Sequence, residues 1–452
     1  MIDPRLLFEG LLHAYAGVGK TGKPQGHEHT VLAGIAVSFE GKGDPKGGRA
    51  VFVVLASGTK CLPAASRNDG LAVHDSHAEV LARRTMVRWL MDELFAMYAG
   101  KPSAVLEVGN TGRVCVRDGV AFHLVVSGAP CGDCSIVVLE GSDRLDGVGE
   151  PGNADQDRVS GRNSFREGSR VGLDDCATAA SVKRHRTGAK MVHVSSILPR
   201  QEEVERAAQK TCVVRRKPGR GLPTSSTSCS DKILRWMHLG FQGCLMRSLL
   251  DEPLRFGSIT AAAASQVALQ RGVWGRQPVS RLEAPVVRSL SVPKKVLDQH
   301  GLCSTELRVV GAGNSVSWWG RSSHQWKLAT GSLLVAGAEN LYSEIPKASK
   351  EFREVLVGKL GYRAGCPSKS GATPAPQFHS RVSRRSMRSH FQRLIATASS
   401  AGATPSGDLK MPRNLAELDD QNFKRLMCPA YHAAWAELRG GIDSVFSTWI
   451  RK

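Results

Sequence analysis

Apolar positions along this chain fall into blocks that are either helical in period or nearly continuous. The spacing in MIDPRLLFEGLLHAY (1–15) predicts a short amphipathic helix. TVLAGIAVSF (30–39) and AVFVVLAS (50–57) are rich in apolar and β-branched residues and predict strands, and the Gly-rich EGKGDPKGG between them predicts a hairpin. In SHAEVLARRTMVRWLMDELFAMYA (76–99), Val80, Val87, Leu90, Leu94 and Met97 keep near-helical spacing on one side. A long helix is expected there, with Ser76 as its N-cap. GVAFHLVVSG (119–128) predicts a buried strand running into Pro130, a residue suited to a helix start because its missing N–H costs nothing there. SCSDKILRWMHLGFQGCLMRSLL (228–250) predicts a second long helix, capped by Ser228 or Ser230, and CPAYHAAWAELRGGIDSVFSTWIRK (428–452) predicts a helical end.

Polar blocks separate these elements. Residues 140–185 hold no period, are rich in Gly, Asp, Ser and Arg, and read as a disordered insertion. Stretches 363–378 and 397–409 read as loops, and no internal repeat is present. Strands alternating with helices indicate an α/β layered domain. Residues 1–452 read as one catalytic domain with insertions.

Composition narrows the class. The hydrophobic fraction of 41% excludes a mainly disordered chain. No apolar run approaches the roughly 18 residues of a membrane span, and the acids Asp3 and Glu9 argue against a secretory leader. Eleven cysteines without tight pairing suggest free thiols in a reducing compartment, nuclear or cytoplasmic. The balance of 61 Lys+Arg against 41 Asp+Glu leaves a net charge of +20. Much of the excess sits in RRKPGRG (215–221), RVSRRSMRSHFQR (381–393) and SVKRHR (181–186), which favours a polyanionic partner, nucleic acid first.

HAE (77–79) and PCGDC (130–134) then suggest chemistry. Together they have the outline of a zinc deaminase site, in which a His and cysteines bind the metal and a Glu moves protons without binding it. A lone H-x-E is common, and a lone C-x-x-C also suits a structural zinc knuckle or a redox pair. The two motifs, each at an expected helix start, favour the deaminase. Three protein ligands are wanted, so that the fourth position stays open. His77 and Cys131 fill two places; Cys134 and Cys229 compete for the third.

With DSHAEVLARR (75–84), PCGD (130–133) and SCSDKILRW followed by LGFQG (228–243), the chain resembles the eukaryotic adenosine deaminases that act on RNA, most closely the branch that acts on tRNA. SGTKCL (57–62), RTGAK (186–190), RKPGRG (216–221), FQRL (391–394) and the C-terminal YHAAWAEL and STWIRK extend the match. The resemblance implies a cytidine-deaminase-like three-layer α/β/α core with a C-terminal helical extension and insertions. It also implies zinc ligands His77, Cys131 and Cys229, with Glu79 as proton shuttle. Cys134 then becomes a buried bystander. Thr59 and Lys60 align with a segment at the nucleotide pocket.

The same family buries inositol hexakisphosphate, which the resemblance surrounds with Arg83, Arg84, Lys232, Arg235, Arg384, Arg425, Tyr431 and Lys452. Asp75 bridges this ligand to the zinc site through Lys232. Arg83 and Arg84 on a largely apolar helix, Lys232 and Arg235 just after Cys229, and a terminal Lys after STWI agree with it. Cys244 and His74 depart from the usual Ser and Asn. RRKPGRG reads as a phosphate-contacting loop.

The implied activity is zinc-dependent hydrolytic deamination of adenosine to inosine in tRNA, at the adenosine immediately 3′ of the anticodon in alanine tRNA. Only 76 residues precede His77, which leaves no room ahead of it for separate double-stranded-RNA modules. The partner expected is tRNA, with no membrane and no obligate protein partner, the chain acting as a monomer. Two alternatives remain at this stage: a zinc-stabilised RNA-binding protein without catalysis, and a deaminase of another RNA, acting on mRNA adenosine or on cytidine.

Overall fold

The computed structural model describes residues 2–40, 49–66, 69–136, 190–191, 210–218, 222–277, 282–302, 305–310, 315–320, 327–336, 352–367, 373–401, 419–441 and 444–449. The expected insertion at 140–185, Lys452 and residues 402–409 lie outside them. Eight strands form the central sheet: β1 (Leu32–Phe39), β2 (Arg49–Ser57), β3 (Val120–Val126), β4 (Phe256–Ala262), β5 (Val286–Leu290), β6 (Gly331–Ala336), β7 (Phe352–Val357) and β8 (Tyr362–Arg363). Their spatial order is β5-β4-β3-β1-β2-β6-β7-β8. β3, β4 and β5 run parallel to one another; every other pairing is antiparallel.

Seven of the eight residues of β1 are buried, including both faces, so the sheet is covered on each side. Helix α1 (Pro4–Gly17) starts at Asp3, whose carboxylate accepts the Arg5 N–H at 2.8 Å, with Pro4 in its first turn. It lies close on the sheet at Gly34, where a Cβ would meet Leu11 Cδ1 at 2.5 Å and Phe52 Cδ1 at 2.7 Å. Helix α2 (Ala78–Tyr98) packs on β1, β2 and β6. It buries Leu81, Met86, Leu90 and Leu94, each worth roughly 1.5–3 kcal/mol of burial. Helix α3 (Cys229–Leu239) carries the second cysteine segment, and α4 (Arg384–Ser400) packs against α2. Helices α5 (Asp420–Met427) and α6 (Pro429–Gly440) form the C-terminal extension. Among the described residues no helix is long and apolar enough to cross a membrane.

Four local expectations change. Ser76 does not cap α2: residues Asp75–His77 pair as a short strand with Thr59–Cys61, and His77 takes the cap position in extended backbone. Pro130 does not open a helix; only a 3₁₀ turn, Asp133–Ser135, follows. Gly132 lies there at φ 104°, and a Cβ would meet Ser228 Oγ at 2.2 Å, so this loop presses against the start of α3 instead. The helix expected over 228–250 breaks at Gly240, at φ 84°, and resumes only as Gly243–Arg247. Residues 397–400, expected in a loop, continue α4 because Leu394, Ile395 and Ala398 keep burying one face.

Candidate active site

Pairing of Thr59–Cys61 with Asp75–His77 delivers His77 to the edge of α2, opposite Thr59. The His77 side chain makes no capping bond and stays free to serve as a ligand. Its Nδ1 lies 3.9 Å from Cys131 Sγ and 3.7 Å from Cys229 Sγ, and the three donor atoms all lie within 4.8 Å of one another. A tetrahedral zinc with Zn–N of about 2.0 Å and Zn–S of about 2.3 Å sets N···S near 3.6 Å, so the set can hold such an ion. Cys229 is the first residue of α3, and its backbone N–H points at Cys131 Sγ, 3.4 Å away. The helix N-terminus beside Cys131 is therefore that of α3, whose dipole and N–H groups favour a thiolate there. A hydrogen bond from the Cys229 thiol, against burial and helped by Lys217 and His77, holds Cys131 well below the usual thiol range.

Glu79 lies in the first turn of α2, 3% exposed, and its Oε2 has no hydrogen-bond partner among the described residues. Thr59 Oγ1 is likewise buried and unpartnered among the described residues. Lys60 is half-buried in the same short strand; burial and the nearby Lys359 lower its pKa, against Glu28. An unpartnered carboxylate and hydroxyl beside a cluster of metal-binding donors is what a site that receives a polar ligand leaves open.

Cys134 stays out of this cluster. It is fully buried, its Sγ faces the Leu269 carbonyl at 3.9 Å, and burial pushes the thiol up to about 12. Cys229 is the one brought to His77 and Cys131.

The charges behind the sulfurs form a chain. Lys217 Nζ donates to Cys229 Sγ at 3.1 Å and to Asp75 at 3.0 and 3.2 Å; Asp75 also accepts from Lys232 and Ser226. Burial opposes the charge on Asp75, yet Lys217 and Lys232 outweigh it and hold its carboxyl well below the usual carboxylate range. Burial likewise opposes the Lys217 ammonium, but Asp75 and the sulfurs of Cys229 and Cys131 raise its pKa well above the ordinary lysine value. Lys217 was hidden in RRKPGRG. Arg215 and Lys217 are fully buried, so neither is the phosphate-contacting surface residue expected. The sequence carried no signal for this burial, since charge runs usually face solvent.

Of the expected polyanion residues, Arg83, Arg84, Arg235 and Tyr431 lie near one another, and Lys232 precedes Arg235 on α3. Arg235 Nη2 donates to Tyr431 Oη at 3.1 Å, and its guanidinium lies over Trp435 and Trp449. Arg83 bonds the Phe241 carbonyl, and Arg84 bonds Val382 at 2.7 Å. Burial, with Arg84 and Arg235 nearby and Tyr431 opposing, pulls the Arg83 guanidinium down to about 9. Arg83, Arg84, Lys232, Arg235 and Arg384 are half-buried, Tyr431 is buried and Arg425 is exposed. Crowded, partly buried cations of one sign fit a bound polyanion, which would offset their mutual repulsion. Cys244 Sγ bonds the Lys424 carbonyl at 3.3 Å on the same side of the molecule.

A family model described as the adenosine-deaminase (editase) domain matches residues 54–452. Human tRNA-specific adenosine deaminase 1 is 27% identical over 96% of this chain and 94% of its own length. The Drosophila melanogaster protein of that name is 31% identical over 59% of this chain and 57% of its own. A mouse double-stranded RNA-specific adenosine deaminase is 30% identical over 51% of this chain and 17% of its own length. A deaminase-type set of His, two Cys and Glu on a mixed sheet, and a family match across most of the chain, agree: the chain belongs to the adenosine-deaminase (editase) domain family.

Proposed function

We propose that this chain converts adenosine to inosine in tRNA by hydrolytic deamination, at a zinc ion held by His77, Cys131 and Cys229. The observation that carries the reading is the convergence of those three donors beside a buried Glu79 with an unpartnered Oε2. When bound, zinc lowers the pKa of water to about 7. Glu79 takes a proton from the attacking water and delivers it to the purine ring nitrogen, then takes the proton of the new hydroxyl on the ring carbon and passes it to the amino group, which leaves as ammonia. Water is consumed and one ammonia is released per inosine. Thr59 and Lys60 line the path of the flipped nucleotide, Thr59 by its hydroxyl and Lys60 by its charge.

The RNA class rests on the relatives named for tRNA and on the net charge of +20. The target within it, the adenosine 3′ of the anticodon in alanine tRNA, rests on the resemblance. Arg83, Arg84, Lys232, Arg235, Arg384, Arg425, Tyr431 and Lys452 hold inositol hexakisphosphate in this reading, and Asp75 relays its charge to Lys217 and Cys229. The enzyme works as a monomer in the nucleus or cytoplasm, where thiols stay reduced and able to bind metal.

The test is incubation of purified full-length protein with unmodified tRNA transcripts, followed by sequencing. Adenosine-to-inosine change is expected, and Glu79→Ala should slow it about 10²–10⁴-fold. Editing that survives the substitution undamaged sinks the role of Glu79, and cytidine change sinks the substrate.

A further inference from the structure

Behind the metal-site cysteines, one turn of chain touches three of the segments that build the site. It is a single π-helical turn, Arg271–Gly275, followed by Arg276. Such turns are rare in proteins and recur at functional sites. Arg271 Nε reaches Asp133 Oδ2 at 3.0 Å, and its Nη2 donates to the carbonyls of Asp133 at 3.0 Å and Ile136 at 2.6 Å. That grips the loop carrying Cys131. Arg276 Nη1 pairs with Asp231 Oδ1 at 2.6 Å and donates to the Val213 carbonyl at 3.3 Å. That grips the first turn of α3, which carries Cys229, and the segment carrying Lys217.

The two carboxylates tie the same three segments to one another. Asp133 accepts the Cys212 N–H at 3.1 Å; Asp231 accepts the Arg215 N–H at 2.9 Å and the Ser228 hydroxyl at 2.6 Å. Gly272 lets the turn approach this closely, since a Cβ there would meet Cys134 Sγ at 2.4 Å and Cys134 N at 2.7 Å. Asp133, Asp231 and Arg276 are all nearly inaccessible to solvent. Buried charges of this kind are tolerated only when paired, so each arginine and its carboxylate hold each other in one geometry.

We propose that Arg271 and Arg276 are positioning residues for the metal site, a double clamp that sets the spacing of Cys131, Cys229 and Lys217 through Asp133 and Asp231. Neither arginine touches a proposed ligand atom, so both act through the segments they grip. The proposal rests on the zinc site inferred above. Outer partners of metal ligands commonly change metal affinity or activity by roughly 10–100-fold.

The test uses full-length wild type, Arg271→Gln, Arg276→Gln and Arg276→Lys. Zinc affinity is read by competition with a chromogenic chelator, and ligand geometry by the thiolate-to-cobalt and d–d bands of the cobalt-loaded proteins. Arg271→Gln and Arg276→Gln should weaken zinc binding by roughly 10–100-fold, shift the cobalt bands, and lower kcat with little change in KM for tRNA. Arg276→Lys, which keeps the charge, should recover part of each effect. If Arg276→Gln fails to fold, Arg271→Gln decides, because its guanidinium is partly exposed. A folded glutamine variant with wild-type zinc affinity and wild-type cobalt bands overturns the clamp alone. Wild-type protein that takes up no zinc overturns the metal reading, and the clamp with it.

Discussion

At the scale of single residues, the choice between Cys134 and Cys229 decides which donors can hold the proposed zinc. Both were visible as cysteines, and the C-x-x-C spacing spoke for Cys134. The resemblance spoke for Cys229, and tertiary packing agrees with it: Cys134 turns toward the Leu269 carbonyl and Gly272, while Cys229 faces His77 Nδ1 at 3.7 Å. Metal analysis should find zinc retained in Cys134→Ser and lost in Cys229→Ser. Cys134→Ser should still destabilise the fold by about 1–3 kcal/mol, the cost of burying a hydroxyl in a site shaped for a thiol. Lys217 shows the limit of local reading. Its partners Asp75 and Cys229 are 142 and 12 positions away, so no spacing rule linked them.

At the scale of elements, hydrophobic period located β1, β2, β3, α1 and α2 within a few residues of where they lie. It missed the ends of elements, because ends answer to neighbours: His77 caps α2 only because Asp75–His77 is paired as a strand. It also missed what crosses the sheet. His123 in β3 is bonded by Ser258 Oγ of β4 at 2.7 Å and Ser38 Oγ of β1 at 2.8 Å. Burial lowers its pKa to about 4. The folded state therefore resists a proton that the unfolded chain accepts near pH 6.5. Stability from this group is complete above about pH 6.5 and falls as pH drops toward 4, by at most about 3 kcal/mol. Urea unfolding at pH 7 and pH 5 should show the loss, and His123→Gln should make the dependence on pH shallower. An unchanged dependence would assign it to other groups.

At the scale of the whole molecule, charge governs partners. If tRNA binding neutralises six to ten phosphates, affinity should fall by about 10³–10⁵ between roughly 50 and 200 mM salt. A flat response in filter binding would mean that the +20 excess faces something else. The crowded cations around Arg235 and Arg83 call for a separate measurement. Acid-denatured full-length protein should release a polyphosphorylated inositol visible by mass spectrometry, in lower yield from Arg235→Gln. By itself the sequence determined the alternation of strand and helix, the basic character of the chain, and a His, Glu and Cys set of deaminase type, because period, charge and short motifs are local properties. The resemblance implied which cysteine joins His77; only the tertiary structure decided that Lys217 is interior and that one turn near residue 271 ties three distant segments together. Those outcomes depend on long-range packing and on which buried charges find partners, and neither is written in the order of neighbouring residues.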